Sequence, residues 1–389
     1  MSVAPLAIAG LGMSGMALAS AVISKCERQG EEPNLLLLDP RQSYQRDRTW
    51  SYWSTHETPF DAAISHRWHT WKVGANGQYV QASSEEIPYV RVDSGDYYRI
   101  GLDALTRSKA LDLRLGTSVK ALVPRERRVD IETDRGTLAA KQVVDTRPQT
   151  LPPGILLQHF MGWEIEVAED HFDPHVVTLM DFMPTRGGDI HFFYVLPLSK
   201  RRALVESTHF SHALREKKAY EAENAAYLRN HLGIGQWHTV GEERGVIPMP
   251  ARPAPAIARD PRIISFGLHG DTSKPSSGYC YLQAHRQAAR QAGLMPGMEA
   301  LEQDAVMQHA PARTPLPKWL DGVFISFLEH HPDQAPTAFL ELFKRVEPNA
   351  LIRFLSDLAS PQDYLQVMKA LPAGTMLREA LRYALTQSS

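Results

Sequence analysis

Apolar and polar positions in the first forty residues predict the order strand, turn, helix, strand. Residues 6–9, LAIA, form an apolar run typical of a buried strand, and the glycine-rich segment 10–15 follows it. Small and apolar helix-forming residues continue the chain, and a second apolar run at 35–38 ends in Asp39. This pattern predicts a βαβ unit with a glycine-rich turn where its first helix begins.

Strand-type runs dominate residues 155–249 and predict an antiparallel sheet. Ser199 and Lys200 separate two of these runs in the manner of a hairpin turn, and the segment 215–232 predicts one inserted helix. The runs themselves are LLQHFMGWEIEVAE, HVVTLMDFMP, DIHFFYVLPL, RRALVESTHF and ERGVIPM.

The remaining segments continue the alternation of strands and helices. Residues 46–54 are expected to form an aromatic loop, 89–108 a strand leading into a helix, and 112–147 a set of short strands. Residues 262–293 predict a short strand, a glycine-bearing loop and a helix. After residue 295 the pattern changes to amphipathic helices.

These elements predict an α/β protein with three parts: a two-part, Rossmann-like nucleotide-binding domain, an antiparallel-sheet domain, and a C-terminal helical region. The nucleotide-binding domain is expected to be discontinuous. The expected boundaries are 1–60, 90–150 and 255–295 for the nucleotide-binding domain, 61–89 and 151–254 for the sheet domain, and 296–389 for the helical region.

Composition and charge exclude several classes of protein. The 389 residues are 43% hydrophobic with a formal net charge of −2, so the chain can bury a large core and has no global field that attracts nucleic acid. Two cysteines are too few for a disulfide framework, which favours the cytoplasm. The uncharged stretch 4–24 contains three glycines and follows no Lys or Arg, so we expect neither a signal peptide nor a membrane span.

The glycine-rich turn has the spacing of a dinucleotide-binding fingerprint. Gly10 allows the tight turn, Gly12 lets a pyrophosphate approach the backbone, and Gly15 lets helix and strand pack closely. Asp39, at the end of the second strand, is placed to accept hydrogen bonds from an adenosine ribose. NAD and FAD share this fingerprint, and a glycine-rich turn in another α/β protein is the structural alternative.

A second glycine-bearing segment favours FAD over NAD as the cofactor. Gly270, Asp271 and Gly278 lie in the loop between the strand and the helix predicted within 262–293. In two-part flavoproteins such a loop returns to the nucleotide domain, where the aspartate binds the ribityl chain and the helix N-terminus faces the flavin. An ordinary aspartate at a turn or helix N-terminus is the alternative for Asp271.

Glu206 is a candidate proton donor within an apolar strand. In the strand 203–209, Leu204, Glu206 and Thr208 share one face, and Ser207 lies on the other. A carboxyl among apolar groups loses solvation when it ionises, so its pKa rises and it can hold a proton to donate. A solvated carboxylate at the sheet edge is the alternative.

No metal site is expected from local spacing. The histidine pairs of HRWHTW (66–71) and LEHHPD (328–333) lack a third and fourth ligand nearby in the sequence.

The order of several segments resembles that of the soluble bacterial and plant-type lycopene cyclase family, over most of residues 5–285. The matching segments are TWS (49–51), FMGWEIE, DFMP, HFFYVLPLS, ALVESTHF, EERGVIPM and GLHGDTSKPSSGY. The resemblance implies a fold like that of flavoprotein hydroxylases, with a two-part FAD domain and a sheet domain over the substrate.

The family's reaction implies a role for each candidate residue. Reduced FAD, kept reduced by NAD(P)H, assists a carotenoid-forming isomerisation without net redox change, in which linear ends of lycopene close to β-rings. The family's essential acid corresponds to Glu206. Trp163 and Glu164 match a G-x-E-like strand and Asp181 matches an M-D motif, so that each either positions substrate or flavin or is purely structural.

Three positions depart from the family pattern. Ser207 stands where the family has a second acidic residue, so a carboxyl pair is not expected there. Asp145 lacks the glycine that usually follows it, and Asp271 stands where close relatives often have glycine. Two alternatives therefore remain: a flavin-dependent monooxygenase of the same architecture, and a non-catalytic flavin- or carotenoid-binding protein.

The hydrophobic substrate suggests a peripheral contact with a membrane. A polyene dissolves in bilayers, so docking of the amphipathic tail on a membrane surface is one interpretation, although packing in the protein core is the favoured use of any single helix. The side chains that this interpretation concerns are Phe339, Leu342, Phe343, Leu351, Phe354 and Leu355. The number of rings, the ring type and the oligomeric state are left open by the sequence.

Overall fold

The strands of the protein form three sheets in the computed structural model, which describes residues 3–107, 110–148, 153–184, 187–251, 260–270, 272–311 and 313–387. The strands are β1 Ala4–Ala9, β2 Leu35–Asp39, β3 Thr49–Trp53, β4 Ile64–Trp68, β5 Thr70–Ala75, β6 Gln78–Ser83, β7 Tyr89–Asp93, β8 Leu111–Leu115, β9 Val119–Pro124, β10 Val129–Thr133, β11 Gly136–Asp145, β12 Leu156–Glu166, β13 Val176–Phe182, β14 Ile190–Pro197, β15 Arg202–Ser211, β16 His238–Met249 and β17 Ile263–Ser265.

Helices connect these strands and form the C-terminal part of the chain. They are α1 Met13–Gln29, α2 Ser94–Thr106, α3 Lys217–Asn230, α4 Tyr281–Leu294, α5 Met298–Glu302, α6 Pro315–His330, α7 Ala335–Arg345, α8 Pro348–Leu355, α9 Pro361–Ala370 and α10 Ala373–Gln387. Among the helices of the described residues, none combines the length and the apolar character needed to cross a membrane.

The first sheet contains the predicted βαβ unit. Its strand order is β8-β2-β1-β11-β10-β9, and β17 pairs with β11. β1 runs parallel to β2 and β11, and all five residues of β2 are buried, as expected for a parallel strand covered on both faces. β17 is parallel to β11, with Val143 opposite Ile263. The segment after residue 260 therefore returns to the nucleotide sheet, as the sequence predicts.

The second sheet has the order β16-β12-β15-β14-β13-β5-β6. Its pairings are antiparallel except that β13 runs parallel to β5. The predicted hairpin joins β14 to β15 around Ser199 and Lys200, and α3 is the predicted inserted helix. Buried Val205 and Leu228 belong to one apolar cluster on the α3 side, whereas Leu204 on the opposite side belongs to a second cluster, which includes the C-terminal helices.

A third, small sheet differs from the expectation for the aromatic segment. Residues 46–54 were expected to form a loop, but Thr49–Trp53 is a strand, β3, in the order β3-β7-β4. Trp50 lies opposite Val92 and Trp53 opposite Tyr89, so the backbone of this segment is satisfied by ladder hydrogen bonds. Aromatic residues suit strands, and here they also pack between the other sheets.

The C-terminal helices pack against the second sheet instead of facing solvent. Phe339, Leu342, Phe343 and Leu351 are buried in the same apolar cluster as Trp71. Phe354 and Leu355 are partly buried against that cluster. The core packing favoured from the sequence is confirmed for the four buried side chains, whose apolar surface is covered and cannot contact a membrane.

A buried ionic cluster attaches the loop before α4 to the C-terminal helices. The Lys274 ammonium lies 2.8 Å from the carboxylate of Asp321 and 3.1 Å from that of Asp357. Arg313 pairs with both aspartates. Two cations therefore balance two carboxylates away from water, which is the condition for burying charge without a large penalty.

The predicted α/β class with a C-terminal helical region is confirmed.

Candidate functional site

One cavity of about 610 Å³ joins the glycine-rich turn of the first sheet to the open face of the second. Gly10, Gly12 and Asp39 line one end of this cavity, and Glu206 and Glu243 line the other. The two regions that the sequence singled out separately thus share one space, although Gly15 and Glu206 are 191 positions apart along the chain.

The glycines of the turn behave as a dinucleotide fingerprint requires. The backbone of Gly10 has φ +96°, a conformation that residues other than glycine rarely adopt. A Cβ atom on Gly12 would meet no atom within 4 Å, so the backbone there is open to a ligand. A Cβ atom on Gly15 would overlap the carbonyl oxygen of Gly10, which shows why helix and strand can approach only with glycine at this position.

Asp39 is held as a carboxylate at the same end of the cavity. Its Oδ2 accepts a hydrogen bond of 2.7 Å from the backbone N–H of Leu11, and Arg41 donates to both carboxylate oxygens at 2.9 and 3.0 Å. Burial alone would raise the pKa of Asp39, but the hydrogen bonds from Arg41 and Leu11 outweigh it and lower the pKa. Asp39 therefore remains an ionised acceptor at neutral pH.

The second glycine-bearing segment reaches the cavity only in part. Gly278 lines the cavity with φ +73°, and a Cβ atom there would overlap the side chain of Gln158. Gly270 is not among the lining residues, since its Cβ position faces the backbone of Ser265, 2.8 Å away. Asp271 lies outside the described residues.

A row of residues across four strands forms the other end of the cavity. Tyr194 on β14 lies opposite Glu206 on β15, Glu206 opposite Gly162 on β12, and Gly162 opposite Glu243 on β16. Neighbours in such a row point to the same face of a sheet. The side chains of Glu206 and Glu243 therefore lie on one face of the sheet. Between them is β12, whose residue at this position is Gly162.

Gly162 allows the two carboxyl groups to meet. A Cβ atom at this position would lie 3.0 Å from Leu204 Cδ1 and 3.3 Å from Glu206 Oε2, closer than most side-chain contacts. Because Gly162 has no Cβ atom, the side chains of Glu206 and Glu243 can hydrogen-bond with each other across β12. A glycine inside a strand commonly marks such a close approach.

The carboxyl pair retains a proton. Burial and then the neighbouring charge of Glu243 raise the pKa of Glu206 well above its usual value, against a smaller opposing effect of the Thr208 hydroxyl, which donates to Glu206 at 3.0 Å. Burial also raises the pKa of Glu243. Two buried carboxyl groups this close oppose each other's ionisation, so Glu206 holds its proton to higher pH than a free glutamate does.

Aromatic side chains surround the space between the two ends. Tyr52 and Tyr281 stack with ring centroids 4.5 Å apart, and Tyr194 lies beside Glu206. Burial raises the pKa of Tyr194 well above its usual value, so the phenol stays neutral. Other lining aromatics are Trp50, Tyr89, Tyr98, Phe160 and Tyr279. Neutral aromatic faces next to a protonated carboxyl suit an apolar, electron-rich ligand that becomes positively charged.

Three residues expected to contact substrate lie outside the described lining of this cavity. Trp163 lies 6.3 Å from Trp237, ring centre to ring centre, among apolar residues on the α3 side of the sheet. Asp181 accepts a hydrogen bond of 2.7 Å from Tyr227. Glu164 forms ion pairs with three arginines, Arg46, Arg91 and Arg202. Each of the three side chains is thus engaged in holding the sheet and its neighbours together.

Glu243 is a candidate site residue that the sequence pattern does not reveal. The missing second acid was sought at position 207, next to Glu206, but the carboxyl partner comes from β16. Ser207 lies on the opposite face, where its hydroxyl donates to Glu223 at 2.8 Å. Gly162 within an otherwise apolar strand was the available signal, although it does not reveal which strand lies on its far side.

A second polar cluster occupies that opposite face. Nitrogen atoms of His191 and His209 and a carboxylate oxygen of Glu223 lie within 4.8 Å of one another, so these three side chains could hold a metal ion. His209 is 2.9 Å from Glu223, and its ring stacks on that of His191. The histidine pairs considered from local spacing are not part of this cluster, because its members come from two strands and α3.

Comparison with known proteins gives a sequence match and a fold match. A sequence profile described as "Lycopene cyclase protein" matches residues 5–381. A lycopene beta-cyclase of Paracoccus sp. (strain N81106 / MBIC 01143) is 29% identical over 231 residues, which span 57% of this chain and 58% of that protein.

The solved structures share the fold at low sequence identity. A geranylgeranyl bacteriochlorophyll reductase-like protein from Thermoplasma acidophilum superposes with a TM-score of 0.63 and 12% identity, over 97% of this chain and 98% of that one. A halogenase, PltM, solved in complex with FAD, gives 0.59 and 12% identity over 95% and 86%. The expected architecture of hydroxylase-like flavoproteins is confirmed.

Proposed function

The chain belongs to the lycopene cyclase family, and from that premise we propose that it closes the linear ends of lycopene, or of a related linear polyene, to β-rings in carotenoid biosynthesis. One observation carries this proposal: a carboxyl pair that retains a proton faces the same cavity as the glycine-rich turn. A buried acid in an apolar, aromatic-lined space is what protonation of an alkene requires.

We propose FAD as the cofactor, in its reduced form, with NAD(P)H as the reductant. The open backbone at Gly12, the left-handed turn at Gly10 and the ionised Asp39 fit the pyrophosphate and ribose of a dinucleotide. The FAD-bound halogenase with the same fold supports this assignment. When bound, reduced FAD would supply an electron-rich ring system that stabilises nearby positive charge.

Glu206 begins the reaction by donating its proton to the terminal double bond of the polyene. The resulting cation is attacked by the next double bond, which forms the six-membered ring, and loss of a proton from the ring completes the isomerisation. Tyr194 and the other aromatic rings face the cation and stabilise it through their negative faces. The cavity must exclude water at this stage, since water would capture the cation.

The product itself tests the proposed function. Purified protein supplied with lycopene, FAD and a reductant should convert it to a cyclic product of unchanged mass. In D₂O, each ring closure adds one deuteron and releases one hydrogen, so the product should carry one deuterium per ring.

Other products would contradict this assignment. A monooxygenase would add oxygen to the substrate and oxidise NAD(P)H in proportion to product. A binding protein would return lycopene unchanged after incubation.

We propose that α10 contacts the membrane that holds the polyene. Leu377, Leu381 and Leu385 are 64%, 59% and 72% exposed and recur every four residues, which places them on one side of the helix. Exposed Arg378 and Arg382 accompany them, whereas Glu379 is buried against α6. An exposed apolar stripe with basic neighbours is suited to an anionic bilayer surface.

Replacing the three leucines Leu377, Leu381 and Leu385 together by Gln should reduce sedimentation with anionic vesicles about tenfold, because the apolar contact is lost. Wild-type protein should bind vesicles containing anionic lipid better than neutral ones. The matched control replaces Leu214, Leu294 and Val240, which are exposed elsewhere, and should bind as wild type. Equal vesicle binding by both triple variants would contradict the assignment of this surface.

A further inference from the structure

Two carboxyl groups in the site have different surroundings, although they share one hydrogen bond. Glu206 is 8% exposed, and Leu204 and Thr208 are its neighbours on the same strand face. Glu243 is partly buried at the edge of the sheet and has a hydrogen bond from Thr49. Carboxyl pairs whose surroundings differ in this way divide into an acid and a base.

A positive charge favours ionisation of Glu243 over ionisation of Glu206. The guanidinium of Arg91, 3% exposed, lies near Glu243, and its Nε has no hydrogen-bond partner among the described residues. Its Nη2 donates to Glu164 at 3.1 Å, and the charge of Glu164 opposes ionisation of Glu243. Burial raises the pKa of Glu243, but Thr49 and Arg91 act in the opposite direction. For Glu206, only the hydrogen bond from the Thr208 hydroxyl lowers the pKa.

We propose that Glu243 is the base that removes the proton from the ring cation, while Glu206 supplies the first proton. This assignment rests on the proposed cyclase function. Glu243 lines the same cavity as Glu206, so its carboxylate can reach the reacting end of the substrate. Two other carboxylates lie on the lining: Asp39, beside the glycine-rich turn, is engaged by Arg41, and exposed Asp47 lies 3.6 Å from Arg48.

Glu206 and Glu243 together account for the proton added to the substrate and the proton removed from it. The O–H bond of Glu206 breaks and a C–H bond forms at the terminal double bond, after which the ring C–C bond forms. A C–H bond beside the new cation then breaks, its electron pair becomes the ring double bond, and the proton goes to Glu243. Transfer along the hydrogen bond between the two carboxyl groups, with exchange with solvent, returns the proton to Glu206. Substrate and product contain the same atoms.

The position of the base also determines the product. A β-ring, an ε-ring and a γ-ring differ only in which C–H bond beside the cation is broken. Glu243 is held by strand pairing to Gly162 and by Thr49, so its carboxylate occupies one place in the cavity. We therefore expect Glu243 to select the ring type.

The variant Glu243→Gln separates this role from a structural one. Ring closure should slow about tenfold, less than for loss of the acid, because a ring cation releases its proton even to weak acceptors. The product should contain a larger share of rings with a displaced double bond. The matched control is Glu242→Gln on the same strand, whose carboxylate pairs with Lys217 at 2.8 Å, and it should behave as wild type.

Infrared difference spectra of the purified protein supply a readout without turnover. Glu206→Gln should weaken the band of a protonated carboxyl, since Thr49 and Arg91 oppose the effect of burial on the remaining Glu243. Glu243→Gln should leave that band in place, because Glu206 stays buried and protonated. The opposite result, with the band lost in Glu243→Gln and kept in Glu206→Gln, overturns the assignment.

Failure of this inference can be distinguished from failure of the proposed function. If the wild-type protein closes rings and Glu243→Gln does so at the same rate with the same ring composition, only the role of Glu243 is refuted. If the wild-type protein closes no ring, the cyclase function is refuted and the assignment of Glu243 falls with it.

Discussion

Replacing Glu206 by Gln should lower the rate of ring closure by about 100-fold or more, as is typical for loss of a general acid. The amide keeps the size and the hydrogen bonding of the side chain but has no proton acidic enough to transfer to an alkene. FAD binding should be unchanged, because Glu206 and the glycine-rich turn lie at opposite ends of the cavity. The initial rate of β-ring formation and the FAD affinity measure the two effects.

Two further substitutions serve as controls for this prediction. Glu206→Asp should retain part of the activity, because it still carries an acid but is shorter by one methylene, and a misplacement of about 1 Å is costly. Adding Ser207→Glu to Glu206→Gln should not restore activity, because position 207 faces Glu223 on the opposite side of the sheet. Near wild-type ring closure by Glu206→Gln would refute its role as the acid.

The same carboxyl pair determines the expected dependence on pH. Burial and the charge of Glu243 raise the pKa of Glu206, so its acid form persists to higher pH than that of a free glutamate. Activity requires this acid form, so the rate should fall as the pH rises through the raised pKa. A rate that increases on the alkaline side would contradict the assignment.

Replacing Gly12 by Leu should weaken FAD binding while leaving the fold intact. A Cβ atom on Gly12 meets nothing within 4 Å, and the φ of −65° suits any residue, so the apoprotein should tolerate the change. The added side chain would occupy the space that the pyrophosphate needs. A forced clash of about 1–3 kcal/mol corresponds to roughly a 10- to 100-fold weaker affinity. Flavin fluorescence titration measures it.

Two other glycines provide controls for the effect of Gly12→Leu. Gly235 is also open, with nothing within 4 Å of its Cβ position, so Gly235→Leu should bind FAD as the wild type does. Gly15→Leu should instead destabilise the fold, because its Cβ would overlap the Gly10 carbonyl oxygen. An unchanged FAD affinity for Gly12→Leu would exclude this turn as the pyrophosphate site.

Secondary structure and the faces of single strands could be predicted from the sequence, because both depend on residues that are neighbours in the chain. The apolar run before Gly10, the glycine spacing and the run ending at Asp39 predicted β1, α1 and β2. The alternation in 203–209 correctly placed Leu204 and Glu206 on one face and Ser207 on the other. Periodicity along one strand or helix is enough to decide such questions.

Burial of the C-terminal helices could not be decided in this way. An amphipathic helix shows that one side is apolar but not what covers that side. Phe339 and Phe343 fit a membrane surface and a protein core equally well by sequence, and the tertiary structure places them in the core against the second sheet. The same packing leaves Leu381 and its neighbours on α10 exposed.

The sequence by itself determined the glycine-rich turn, the hairpin whose second strand carries Glu206 and the family to which these segments are similar. Only the tertiary structure decided that Glu206 has a carboxyl partner. That partner, Glu243, is 37 residues further along the chain and meets Glu206 across Gly162 of a third strand. Strand order and register depend on contacts between distant segments, so the pKa and the chemistry of Glu206 follow from the folded sheet.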